Sequence, residues 1–261
     1  MNFFDRLADG IEEKDSVVCV GLDPVRDRIP GDLSVLEFNR RIIDATSDVA
    51  VAYKPNSAFY EATDDWDVLR QTAEYVHEET DAEVVLDAKR GDIGNSSSRY
   101  ADLLDFADAI TVSPYMGHDS IEPFIERPEK GVFVLCKTTN DGSSDFQDID
   151  CGGKPLYAEV AERCADWDLN SNIGLVVGAT YPETMEEVRR HADDLPFLVP
   201  GVGAQGGSVR AAVEHGLSPE GVGVVNSTRS IIYAGEEDEE RFDDEARKAA
   251  RDLRDSLNEY R

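Results

Sequence analysis

Eight short runs rich in β-branched residues, each followed after a polar turn by a segment with helical spacing, constrain this chain more than any other feature. The runs are 17–23, 49–55, 83–89, 109–115, 132–138, 173–179, 196–202 and 221–227. Helical spacing marks Val35–Thr46, Trp66–Thr80, Leu156–Trp167, Glu183–His191 and a closing segment, Glu240–Tyr260. Strands that alternate with helices imply a parallel sheet, and eight is the number that closes into a barrel without a free edge. The expected fold is therefore α/β, a (β/α)8 TIM barrel, with an open doubly wound sheet as the alternative. The 261 residues match the roughly 250 of such a barrel. No linker or low-complexity segment divides the chain, so residues 1–261 are expected to form a single domain. One stretch, 138–155, is long and rich in Gly, Ser and Asp, and a loop of that length in a compact domain is more often functional than accidental.

The residues at the ends of the runs are unusually polar: Asp23, Lys54, Asp87 with Lys89, Ser113, Lys137 with Thr138 and Thr139, Gln205, and Asn226 through Arg229. In a parallel barrel the C-terminal strand ends share one mouth, where function resides. The densest group is EVVLDAKRGDIG, residues 83–94, in which an apolar strand gives way to Asp87, Lys89, Arg90 and Asp92. Side chains two apart on a strand share a face, so Asp87 and Lys89 are expected inside the mouth and Arg90 outside it. As a structural ion pair at a barrel rim, Asp87 and Lys89 alone would be unremarkable. With Lys54 and Asp92 they make an alternating charge array, which is costly to confine unless something uses it.

A second motif, PGVGAQGG at 200–207, places Gly201, Gly203 and Gly206 in a GxGxxG spacing. As a dinucleotide fingerprint it is weak, because the strand that follows ends in Asn and Ser rather than in an acid. Its place after the seventh run suits a phosphate site built from the last two strand-end loops, with backbone N–H groups facing the anion and Arg229 gripping it.

Charge narrows the partners. Fifty-five acidic residues oppose 26 basic ones, a net charge of −29, and the acids spread over every expected helix. Such a field repels nucleic acid and anionic membranes, and it reads as adaptation to molar salt, where self-repulsion is screened. No apolar run approaches the roughly 18 residues of a membrane span. The acidic, amphipathic start lacks a secretion signal, so a cytoplasmic protein is expected. Cys19, Cys136, Cys151 and Cys164 show no CxxC spacing, and His77, His118, His191 and His215 are scattered, so neither disulfides nor a metal site is expected.

Six stretches together, VGLDP (20–24), YKPNSAFYE (53–61), LDAKRGDIGNSS (86–97), TVSPYMG (111–117), PGVGAQGG (200–207) and NSTRSIIYA (226–234), resemble the orotidine 5'-phosphate decarboxylases, in the longer of their prokaryotic subfamilies. The resemblance implies cofactor-free conversion of orotidine 5'-monophosphate to UMP and carbon dioxide, the last step of de novo pyrimidine synthesis. By that likeness Lys89 protonates the ring carbon as carbon dioxide leaves, Asp87 faces the substrate carboxylate, and Lys54 and Asp92 complete the catalytic array. Asp23 and Asn56 would meet the ribose, Thr139 or Thr138 the base, and Gln205, Gly206 and Arg229 the phosphate. A homodimer is implied in which Asp92, Ile93 and Ser96 serve the partner's site. Two positions depart from the family pattern: Ser96 stands where relatives often have threonine, and Thr228 where short relatives have glycine. The alternatives are a metal-dependent sugar-phosphate aldolase or decarboxylase on the same barrel, a non-catalytic nucleotide binder and a redox enzyme using the glycine motif. KPNSAFYE speaks against the first, and the intact charge array against the second.

Overall fold

The eight runs form eight parallel strands that pair in chain order and close β8 onto β1. This computed structural model describes residues 1–63, 65–202 and 207–261. The strands are β1 (Val18–Leu22), β2 (Ala50–Pro55), β3 (Glu83–Arg90), β4 (Ala109–Val112), β5 (Gly131–Lys137), β6 (Ile173–Val177), β7 (Phe197–Pro200) and β8 (Val224–Ser227). Around them lie α1 (Phe3–Lys14), α2 (Val35–Thr46), α3 (Ala58–Glu61), α4 (Trp66–Glu79), α5 (Gly94–Ala101), α6 (His118–Ile125), α7 (Leu156–Trp167), α8 (Pro182–His191), α9 (Val209–Glu214), α10 (Arg229–Ile232) and α11 (Phe242–Asn258). The strands are buried almost throughout, because helices cover the outside of the barrel and side chains fill its interior. That is why they read as continuous apolar runs and not as alternating ones.

Strand ends fall short of the sequence expectation where backbone chemistry intervenes. β4 stops at Val112 rather than Tyr115, since Pro114 has no N–H to give to the ladder and opens a short 3₁₀ turn, Pro114–Met116. β8 begins at Val224 rather than Gly221: Gly221 and Gly223 have φ of 80° and 155°, outside strand geometry.

Two aromatic clusters fix the helical layer. Asn2 and Asp5 form a capping box that starts α1, whose apolar stripe of Phe3, Phe4, Leu7 and Ile11 is buried. Phe3 and Phe4 meet Phe133 of β5 edge-on at 6.0 and 5.6 Å, closing the N-terminal end of the barrel. Gly131 has no side chain to spare there, because a Cβ would lie 2.3 Å from the Phe3 ring. In a second cluster, Phe38 of α2 stacks on Phe242 of α11 at 5.4 Å and on Tyr233 at 6.0 Å. Burying each such ring contributes roughly 1.5–3 kcal/mol.

Among the described residues no helix is long and apolar enough to cross a membrane. The four cysteines are free, and only Cys151 is exposed.

Candidate active site

Three charged side chains from two neighbouring strands meet where the apolar run of β3 ends. Lys54, near the end of β2 and 4% exposed, donates from Nζ to Asp87 Oδ2 at 2.9 Å. The other oxygen of Asp87 accepts Lys89 Nζ at 2.6 Å and the Thr111 hydroxyl of β4 at 2.9 Å. Burial alone would push the Asp87 carboxyl up, but the two ammonium groups outweigh it and hold it well below the usual carboxylate range. Burial likewise works against the Lys54 ammonium, and Asp87 and Asp23 more than reverse it. Asp87 and Lys54 are thus both ionised at neutral pH. Lys54 is enclosed, whereas half of the Lys89 side chain remains open to the mouth.

Simple alternation does not explain how Asp87 and Lys89 come to share a side. The register to β4 slips by two residues between Leu86 and Arg90, and Lys89 sits at φ 47°, in the left-handed region. Such a conformation costs a lysine about 1–3 kcal/mol. It is held in part by the Lys89 N–H, which donates to Thr111 Oγ1 at 2.9 Å. Arg90 points outward as expected and pairs with Glu61.

The triad stands between two cavities. One, of about 440 Å³, is lined by Asp23, Lys54, Asn56, Asp87, Gly201, Val202, Asn226 and Arg229, among others. A second, of about 350 Å³, is lined by Lys54, Asp87, Lys89, Thr111, Leu135, Thr138, Thr139 and Val176, among others. Lys54, Asp87 and Pro200 line both, so the mouth is one elongated cleft with the charges at its middle. At the first end, Asp23 Oδ1 and Asn226 Oδ1 are buried and have no hydrogen-bond partner among the described residues, which leaves two acceptors for a ligand's hydroxyl or N–H groups. Burial pushes the Asp23 carboxyl up against the pull of Lys54. Asn56 is fixed by a bridge to Asp87, and its side-chain oxygen accepts the Ala58 N–H at 3.2 Å. Arg229 opens α10 at the cleft rim, and Gly201 (φ 98°) turns the backbone opposite it. Gln205 and Gly206 lie outside the described residues.

At the second end the two threonines part company. The Thr138 hydroxyl is occupied by Asn140 Oδ1 at 2.7 Å and by Gln147 Nε2 at 2.9 Å. Thr139 instead packs its methyl over Gly178, where a Cβ would come within 2.4 Å. Lys137 turns away altogether, to Asp148 at 2.5 Å. These contacts tie 138–155 back onto β5, so the long loop is a built wall with a 3₁₀ turn, Asp141–Asp145, and a bridge between Asp150 and Pro155.

The structure does not bring Asp92 into the triad of its own chain. Its carboxylate accepts the N–H of Ile93 at 2.8 Å, and Asp92, Ile93 and Ser96 line neither cavity. Sequence reasoning missed Thr111, Asn140 and Gln147, together with Phe59 and Tyr233, which also line the first cavity. Thr111 left a signal, a lone hydroxyl in the apolar run of β4, while Tyr233 and Gln147 act through contacts that no local pattern reveals.

Among the described residues no three His, Cys, Asp or Glu side chains group as metal ligands. The donor set around Asp87, two ammonium groups and a hydroxyl, itself suits an anion better than a divalent cation.

Comparison with known proteins agrees with this geometry. Residues 16–241 match the profile of the orotidine 5'-phosphate decarboxylase / HUMPS family. The chain is 55% identical to the orotidine 5'-phosphate decarboxylase of Halorubrum lacusprofundi and 54% identical to that of Natronomonas pharaonis, each over the whole of both chains. Among solved structures it is similar to the OMP decarboxylase of Leishmania donovani, with TM-score 0.86 and 40% identity over 100% of this chain and 98% of that one. A match covering this much of the sequence leaves one conclusion: the chain belongs to the orotidine 5'-phosphate decarboxylase / HUMPS family.

Proposed function

We propose that the protein is an orotidine 5'-monophosphate decarboxylase that forms UMP and carbon dioxide in pyrimidine synthesis without a cofactor. The observation that carries this reading is the Lys54–Asp87–Lys89 triad set between a cleft end with Arg229 and one with Thr139. The substrate has the same order of parts: phosphate, ribose, reacting carbon, base. Gln205, Gly206 and Arg229 take the phosphate, Asp23 and Asn56 the ribose, and Thr139 the base. Thr139 is preferred over Thr138 because the Thr138 hydroxyl is already engaged within its loop.

In the reaction the bond from the ring carbon to the carboxylate breaks, its electron pair stays on the carbon, and the Lys89 ammonium supplies the proton. Ionised Asp87 crowds the substrate carboxylate and disfavours the bound ground state relative to the carbanion-like transition state. Lys54 keeps Asp87 charged and in place. A cation about 4 Å from the developing charge is worth roughly 4 kcal/mol at an effective dielectric near 20. Enzymes remove about 8–23 kcal/mol from a barrier, so Lys89 alone falls short and remote binding of the phosphate must supply much of the remainder.

Asp92, Ile93 and Ser96 are assigned to the partner's site in a homodimer. Their absence from the chain's own cleft supports this, as do three exposed apolar side chains on adjacent strand-end loops, Ile93 (53%), Tyr115 (82%) and Met116 (49%). A cytoplasmic setting fits the four free thiols.

The phosphate provides the test of this reading. Orotidine without its phosphate should react with kcat/KM lower by about a thousandfold or more, the loss of several charge-assisted contacts of about 1.5–3 kcal/mol each. Comparable turnover of the two substrates would contradict it.

A further inference from the structure

Arg90 is the charged residue of the central motif that the reaction leaves without a task. It and Lys89 turn in opposite directions. The Lys89 ammonium reaches Asp87 inside the mouth, whereas the Arg90 guanidinium passes outward, pairs with Glu61 at the end of α3 and lies 4.9 Å from the Tyr100 ring of α5. The Arg90 side chain is 19% exposed against 49% for Lys89, so the anchored member of the two is the arginine. Between them the backbone leaves strand geometry at Lys89, φ 47°, and is pinned again where the Ser113 N–H donates to the Arg90 carbonyl at 2.7 Å. A left-handed lysine persists only where its surroundings impose it.

The anchor is also well placed. α3 starts three residues after β2, the strand that supplies Lys54, and α5 starts two residues after Asp92. The pair of Arg90 with Glu61 therefore ties the end of β2 to the end of β3, the two strands that hold the triad.

We infer that Arg90 is a positioning residue, which with Glu61 and Tyr100 as fixed points sets the place of the Lys89 ammonium against Asp87. This rests on the decarboxylase reading of the site. The planar guanidinium is suited to the task, because it pairs with a carboxylate and stacks on a ring at the same time, which lysine does less well.

The test compares wild type with Arg90→Met, Arg90→Lys and Glu61→Gln in molar KCl, measuring kcat and KM for orotidine 5'-monophosphate, Kd for UMP, and the melting temperature. A misplacement of about 1 Å costs about a hundredfold in rate. Arg90→Met should accordingly lose about that factor in kcat, with KM and the UMP Kd within about threefold of wild type. Arg90→Lys should recover part of the loss, and Glu61→Gln should lose about tenfold in the same direction. Wild-type kcat in the variants overturns the proposal, as does a parallel fall of kcat, UMP affinity and melting temperature, which marks a general loss of structure. If Arg90→Met does not fold, Arg90→Lys and Glu61→Gln decide between the same two outcomes. An inactive wild type overturns the decarboxylase reading itself, and the proposal with it.

Discussion

Asp87 carries more of the site than any other residue, since both of its oxygens are used and two lysines depend on it. Its depressed carboxyl and the raised Lys54 ammonium have a definite pH consequence. The Asp87 contribution is present above the unfolded value of about 4 and is lost as pH falls through the lower folded value. The Lys54 contribution is present below the unfolded value of about 10.4 and is lost as pH rises through the higher folded one. The pair is therefore intact across the whole range in which an enzyme is assayed. Thr139 offers a residue-level prediction. A neutral hydrogen bond is worth about 1 kcal/mol, so Thr139→Val should raise KM about fivefold with the melting temperature unchanged. An unaltered KM would remove Thr139 from the base contact and return that role to Thr138. At this scale the sequence was informative about which residues gather, because polar side chains closing apolar runs stand out. It was silent on how they gather: the register slip and left-handed Lys89 replace the simple alternation expected for β3, and no local pattern announces them.

Among the elements, the eight strands were legible because strands buried on both faces leave unbroken apolar runs, and helix spans such as Leu156–Trp167 were legible from their spacing. Ends were less so, as Pro114 and Gly221 show. Contacts between elements could not be read at all, and the clearest example lies at the N-terminal end of the barrel. There Arg6 of α1 grips Glu83 of β3 at 2.8 and 2.9 Å, and His77 of α4 meets Asp108 at 2.7 Å, with Lys130 at 3.7 Å from the same carboxylate. The hydrogen bond to Asp108 raises the His77 pKa, against burial and the Lys130 charge, with Glu83 adding to the rise. A raised histidine stabilises fully below its unfolded value of about 6.5 and loses that contribution as pH rises through the folded one. Melting temperature should therefore fall as pH rises above about 6.5 in the wild type and fall less in His77→Gln. Identical pH profiles for the two would show that α4 is held without help from this pair.

For the molecule as a whole, the barrel follows from the count of strands and its surface follows from the charge. A net of −29 is carried by acids outnumbering basic residues 55 to 26, and relatives above 50% identity come from Halorubrum and Natronomonas. At 0.1 M salt the screening length of about 10 Å lets these acids repel one another, and at 1 M it is about 3 Å. One cooperative unfolding transition is expected for residues 1–261, rising by roughly 10 °C between 0.1 M and molar KCl, the equivalent of about 3 kcal/mol for a chain of this size. A transition indifferent to salt would contradict the saline reading. Whether charge alone performs the decarboxylation, with Lys89 as the acid, is decided by following the loss of orotate-ring absorbance in molar KCl with EDTA, for wild type and Lys89→Ala side by side. Loss should be rapid and chelator-insensitive in the wild type, and at least about a thousandfold slower in the variant, within the range that a positioned general acid contributes. Turnover that EDTA abolishes, or that survives the loss of Lys89, would contradict it.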